Sequence, residues 1–206
     1  MHTEVKHPCI EHKLTLLRDE RTDHKQFREL TREITQFVAY EALRNLPTAP
    51  VEVQTPLAVA TGRTIAADVV VVPILRAGVG MLDGILALVP NARVGYVGLY
   101  RDPDTKKPVE YYRKLPDVRP DSFYVLIDPM LATGGTTVAT LDLLRDHGVQ
   151  QVIVVCLVAS PEGVATVEEA HPDVWIFAAV VDSHLDARKY IIPGLGDAGD
   201  RLFGTR

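Results

Sequence analysis

Five short apolar runs divide the chain: VVVVPI at 69–74, VGYVGLY at 94–100, YVLI at 124–127, QVIVVCLV at 151–158 and VWIFAAVV at 174–181. Each is strand-length, and most are dense in β-branched residues. Their nearly unbroken apolar character predicts strands buried on both faces, as in a parallel sheet. Between the runs the period changes. In residues 23–44, Phe27, Leu30, Ile34, Phe37, Val38 and Leu43 fall mostly on one stripe, the mark of an amphipathic helix. A helix through Leu88 follows the first buried run. From Thr136 onward, Val138, Leu141, Leu144 and Arg145 recur at steps of three and four, and residues 162–171 give one more short helix. Strands alternating with helices predict an α/β fold, a doubly wound parallel sheet, in a single domain over residues 1–206.

The remaining segments are weaker signals. Residues 1–22 read as an irregular opening, and Pro47 and Pro50 as the end of the first long helix. Residues 51–55 alternate as a strand with one exposed face, with a turn at Thr61-Gly62. Pro73 has no N–H for a ladder bond and is expected to end its strand. The polar run after Tyr100 carries prolines and a charged tip at Lys106 and Lys107, as in a mobile surface hairpin.

Candidate chemistry concentrates in YVLIDPMLATGGTTVAT, residues 124–140. It reads as strand, tight polar loop, helix. Such a loop aims backbone N–H groups at the positive end of the helix, where a phosphate is the natural guest. Asp128 would repel that phosphate and suits a ribose hydroxyl pair or a metal-bound water better. Neither a Gly-Lys-Ser/Thr loop nor a strand followed by G-x-G-x-x-G is present. A second loop, Leu75-Arg76-Ala77-Gly78-Val79-Gly80, places an arginine between strand end and helix start, the ligand-binding edge of an open α/β sheet. The tail YIIPGLGDAGDRLFGTR is rich in glycine yet keeps apolar residues. Its free backbone donors and acceptors suit the edge of a flat heterocycle.

Composition narrows the class. The chain has 206 residues, 47% hydrophobic and 24% charged, enough for a full core. A net charge of −5 argues against a general nucleic-acid binder. Cys9 and Cys156 read as free thiols of a reducing compartment. His7, Cys9 and His12 match no zinc spacing. No signal peptide or membrane-spanning run is evident, so a cytoplasmic location is expected.

Taken in order, the HKL opening, PILRAG, YRD, DPMLATGG and IIPGLGDAGDR resemble the motifs of type I phosphoribosyltransferases of the uracil branch. Pro129 stands where most type I enzymes carry a second acid, as in that branch. Thr136 stands where serine is common, and Arg188-Lys189 precede Tyr190 where a glycine is usual. The resemblance implies a parallel sheet with a small hood formed by the N- and C-terminal segments, and an unusual peptide beside Arg76. It implies transfer of phosphoribosyl from 5-phosphoribosyl-1-pyrophosphate to uracil, giving UMP and pyrophosphate in pyrimidine salvage. Arg76 and Arg101 would hold the pyrophosphate, Arg101 beneath a flexible lid. Asp128 would hold the ribose hydroxyls, with Pro129, Met130 and Leu131 continuing the loop. Ala132, Thr133, Gly134, Gly135 and Thr136 would bind the 5′-phosphate. Ile191, Gly196 and Ala198 would read uracil through backbone groups, with Asp197 on the ribose and pyrophosphate side. Of these, Arg76, Arg101, Asp128 and Asp197 would be catalytic. Mg²⁺ would arrive on the substrate, with no protein metal cage. GTP as activator and a homodimer or higher homo-oligomer are further implications. A nucleotide-sensing regulator that binds RNA, and an enzyme of the same fold using a purine, are the competing readings.

Overall fold

The computed structural model describes residues 1–101 and 108–205. The chain opens with β1 (His2–Glu4) and α1 (Pro8–Arg18), where the sequence predicts irregular backbone. Pro8 is tolerated in the first helical turn, which needs no N–H from it. The His7 ring accepts the Cys9 amide at 3.1 Å as a cap. Ile10, Leu14 and Leu17 form the buried stripe of this helix, a periodicity too short to stand out among its polar neighbours.

α2 (His24–Ala42) follows, with the Asp23 carboxylate accepting the Gln26 amide at 2.8 Å. Its predicted stripe is buried at Phe27, Leu30, Ile34 and Val38. The helix ends before either proline, and Pro50 lies within the next strand. β2 (Thr48–Gln54) and β3 (Val59–Ile65) form an antiparallel hairpin outside the main sheet. Thr61 and Gly62 are not its turn; they pair with Glu52 and Val51 inside the ladder. The chain reverses at 55–58, where the Thr55 hydroxyl accepts the Leu57 and Ala58 amides. Glycine breaks a strand only weakly when cross-strand pairing continues on both sides.

The core elements come next: β4 (Asp68–Leu75), α3 (Val79–Leu86), β5 (Arg93–Val94), β6 (Tyr96–Arg101) and β7 (Pro108–Lys114). β4 continues past Pro73, which pairs with Ile127 on one side. On the other side the neighbouring strand is interrupted at Gly95, between β5 and β6, so the ladder is already broken near the proline. The predicted hairpin is present as the antiparallel pair β6–β7, while Lys106, Lys107 and the Arg101 side chain lie outside the described residues. Then come β8 (Ser122–Ile127), β9 (Met130–Leu131), α4 (Gly135–Asp146), β10 (Val152–Ala159), α5 (Pro161–Ala170), β11 (Trp175–Val181), β12 (His184–Leu185), β13 (Ile191–Ile192) and α6 (Ala198–Phe203).

The main sheet runs β1-β11-β10-β8-β4-β6-β7. Its pairings are parallel except β6–β7. Strand alternation divides the core in two. Val69 and Val71 face α1, α2 and α3 through Leu17, Ile34 and Ile85. Val70 and Val72 face α4 and α5 through Leu141, Leu144 and Val167. This is the doubly wound arrangement that the alternation of runs predicts. Among the described residues, no helix is long and apolar enough to cross a membrane. The Pro73–Ile127 register brings the carboxyl ends of β4 and β8 side by side. Arg76 and Asp128 therefore leave the sheet at one edge.

Candidate active site

The loop expected to hold a phosphate is built into the sheet. After β8, the Pro129 carbonyl accepts the Leu157 and Val158 amides at 3.2 and 3.0 Å. The Leu131 carbonyl accepts the Ser160 amide at 2.9 Å, and the Ala132 carbonyl accepts the Ser160 hydroxyl at 2.6 Å. The same hydroxyl accepts the Gly163 amide and so caps α5. With its carbonyls turned toward β10 and Ser160, the loop enters α4 through Gly134 at φ +78. Gly134 supplies no side-chain cap, and the N-terminal end of α4 carries the positive partial charge that suits an anion. The fit is tight: a Cβ on Gly163 would fall 2.3 Å from the Ala132 carbonyl oxygen.

Asp128 stands where β8 ends. Its Oδ1 accepts the Met130 amide at 3.4 Å, a weak bond. Burial pushes its carboxyl up to about 7, and the Met130 amide offsets this only in part. A carboxyl enclosed this way gains most from a ligand that donates hydrogen bonds to its ionised form.

The arginine loop leaves β4 through a cis peptide between Leu75 and Arg76. Gly78 lets this loop fold against β8, since a Cβ there would sit 2.5 Å from the Ile127 carbonyl oxygen. The Arg76 side chain is exposed and lies 3.5 Å from the Asp200 carboxylate. Such a pair is weak in water and easily exchanged for a polyanion.

The segment expected to read the base is irregular backbone. β12 and β13 form a small hairpin whose tip carries Lys189 at φ +70. The Asp186 carboxylate accepts the Arg188 and Tyr190 amides at 2.8 Å each and closes this tip. Beyond a cis Ile192–Pro193 bond, Gly194 and Gly196 adopt φ +61 and +70. Asp197 then caps α6, accepting the Asp200 amide at 2.9 Å.

These segments meet around a cavity of about 490 Å³. Asp128, Met130 and Ala132 line one side, and Ile191, Gly196, Asp197 and Ala198 the other. Thus Asp128, Met130 and Ala132 share one cleft with Ile191, Gly196, Asp197 and Ala198, residues named from separate motifs. The other predicted site residues sit elsewhere. Pro129 and Leu131 are buried in the loop's attachment to the sheet, and Gly134 is buried at the head of α4. Thr133, Gly135 and Thr136 are half-buried around that helix start, and Arg76 is at the rim next to Ala77. The Arg101 side chain lies outside the described residues. Among the described residues, no group of three or more His, Cys, Asp or Glu gathers as a metal cage.

Sequence reasoning missed Ser160, which ties the phosphate loop to α5. A Ser-Pro-Glu-Gly run signals a helix start, but nothing in it points to Ala132. It also missed Arg188, Lys189 and Tyr190 as lining residues. The departure from glycine before Tyr190 was the available signal.

The family model described as uracil phosphoribosyltransferase matches residues 4–205. A uracil phosphoribosyltransferase from Symbiobacterium thermophilum is 56% identical over 203 residues, covering 98% of this chain and 97% of that protein. One from Dictyoglomus thermophilum is 52% identical over 203 residues, covering 98% of each. Among solved structures, the AQ2163 protein from Aquifex aeolicus superposes with a TM-score of 0.93 at 39% identity, over 98% of both chains.

Proposed function

We propose that this chain, which belongs to the uracil phosphoribosyltransferase family, joins uracil to the ribosyl carbon of 5-phosphoribosyl-1-pyrophosphate, forming UMP and pyrophosphate. The observation that carries this reading is the shared cavity, where the phosphate loop at Asp128, Met130 and Ala132 faces Ile191, Gly196, Asp197 and Ala198.

In this reading the 5′-phosphate rests on the amides and hydroxyls of residues 133–136 at the open start of α4. The Asp128 carboxylate accepts the ribose hydroxyls. Pyrophosphate leaves toward Arg76, which exchanges Asp200 for the leaving group, and toward Arg101. The ribosyl carbon gains positive character as the bond to pyrophosphate breaks and the bond to uracil nitrogen forms. The proton on that nitrogen leaves with the pyrophosphate or to solvent as the new bond forms, and orientation and fixed charge supply the rate. Asp128 and Asp197 offer hard oxygen donors to the same cavity, and such donors suit Mg²⁺ carried in on the substrate. Bound there, Mg²⁺ would supply positive charge to offset the negative charge of pyrophosphate.

Two further parts of the reading concern partners. Self-association is supported by the β2–β3 hairpin, which exposes Val51, Val53, Leu57, Val59 and Ile65, and by the nearby exposed Tyr40. Sedimentation should give a dimer or larger species. Activation by GTP rests on the family likeness alone, and an assay with and without GTP reads it directly.

The test of the main reaction is UMP formation from labelled uracil, phosphoribosyl pyrophosphate and Mg²⁺, with cytosine and hypoxanthine in parallel. Turnover confined to uracil is the expected result. Turnover of hypoxanthine instead would overturn the base assignment and leave the ribosyl reading intact.

A further inference from the structure

The polar groups that hold the base-side segment join both ends of the chain. Arg18, the last residue of α1, donates from Nη1 and Nη2 to the two Asp182 carboxylate oxygens at 2.8 and 2.6 Å. Its Nη1 also donates to the Gly194 carbonyl at 2.8 Å. The same Asp182 carboxylate accepts the Gly194 amide at 2.8 Å. One ion pair thus holds both backbone polar groups of Gly194. The Asp182 side chain is only 4% exposed and that of Arg18 24%, so the carboxylate end of the pair is shielded from water.

The next carbonyl is held in the same way. Arg201 donates from Nη1 to Leu195 O at 3.0 Å and from Nη2 to Asp19 O at 2.6 Å. Its guanidinium lies 4.3 Å from the centroid of the Phe27 ring in α2. Successive carbonyls, those of Gly194 and Leu195, are therefore each gripped by a guanidinium braced on the N-terminal part of the chain. The residue that follows, Gly196, opens onto the cavity, with nothing within 4 Å of where a side chain would stand. Gly194 itself admits no side chain, since a Cβ there would meet the Ile191 carbonyl oxygen at 2.1 Å.

We propose that Arg18 and Arg201, with Asp182, are positioning residues for base recognition: they fix the rotation of the backbone at Gly196, and that rotation decides which heterocycle edge is accepted. The inference rests on the uracil reading above. A peptide free to rotate could offer either its donor or its acceptor to the base. Two anchored neighbours remove that freedom, so a base with the wrong edge meets unpaired groups. None of the three side chains lines the cavity; they act through the backbone they hold.

Arg18→Lys and Arg201→Lys keep the charge but lose the planar fork. Steady-state UMP formation would be measured with uracil and phosphoribosyl pyrophosphate varied separately, with cytosine as competitor, beside thermal unfolding. In Arg18→Lys, KM for uracil should rise about tenfold while KM for phosphoribosyl pyrophosphate stays within about twofold, and the preference for uracil over cytosine should fall by about the same tenfold. Asp182→Asn keeps volume and one acceptor, should move the same way less far, and serves the same reading if the lysine variants fail to fold. Equal rises in both KM values, or a lower Tm with uracil KM and base preference unchanged, would overturn the inference and leave the uracil reading standing. Absence of uracil turnover by the unaltered chain would overturn both.

Discussion

The two walls of the cleft are held by different means. The wall proposed to hold the phosphate, residues 128–136, is an extension of the sheet: its carbonyls at Pro129, Leu131 and Ala132 bond to β10 and to Ser160 immediately after it. The wall proposed to read the base, residues 191–198, has almost no ladder of its own beyond the short β12–β13 pair. It is held by side chains of Arg18, Asp182 and Arg201 and by glycines in left-handed conformation. Regular secondary structure can place backbone donors for a phosphate, which is a symmetric and forgiving guest. A heterocycle edge demands donors and acceptors in one order, and an irregular turn held from outside can supply it.

The largest effect that would separate the walls is expected at Asp128. Asp128→Asn should lower kcat/KM for UMP formation by roughly 10²–10³-fold, the scale for losing a preorganised electrostatic partner. It should not destabilise the fold. The Asp128 carboxyl is raised by burial from 3.8 to about 7. A raised folded-state value means that stability is fully present below the unfolded value and is lost as pH rises through about 7. The Asn variant should therefore gain Tm over the parent above neutral pH and lose that advantage near pH 4, by thermal unfolding across the range. Phosphoribosyl pyrophosphate binding, which needs the ionised form, should strengthen as pH rises through about 7.

Next in size is Gly163→Ala, which drives a methyl group into the Ala132 carbonyl at 2.3 Å. It should cost roughly 2–3 kcal/mol and raise KM for phosphoribosyl pyrophosphate more than KM for uracil, because the displaced backbone is the phosphate wall. Ser160→Ala removes both the α5 cap and the partner of the Ala132 carbonyl. A loss of about 1–2 kcal/mol by denaturant unfolding is expected, with the same bias between the two KM values. Equal changes in both would mean that the walls move as one body and would break the comparison.

The smallest effect is on the base wall. Lys189 occupies φ +70 without being glycine. Lys189→Gly should raise stability by about 1 kcal/mol, since left-handed backbone suits glycine. A gain in Tm without change in either KM would mark this tip as outside the base-reading machinery.

The phosphate wall was legible in the sequence because its parts are contiguous. A β-branched run, Asp128, small residues and a helical period follow one another between residues 124 and 145, so local rules are sufficient. The buried runs likewise foretold the sheet, since strands covered on both faces leave no polar alternation. The N-terminal helix α1 was hidden because its stripe is short and its cap is a histidine. The turn at 55–58 was missed because Gly62 is the more obvious breaker, and only the pairing register overrules it. Motif spacing by itself determined the composition of the cleft: an acid, a phosphate loop and a glycine-rich tail. Only tertiary structure decided how the tail is oriented. Arg18 lies 164 positions from Asp182 and 176 from Gly194, and no local pattern links such residues. Their meeting depends on how α1 packs beside the end of β11. A turn with so few bonds of its own takes its shape from the side chains that surround it.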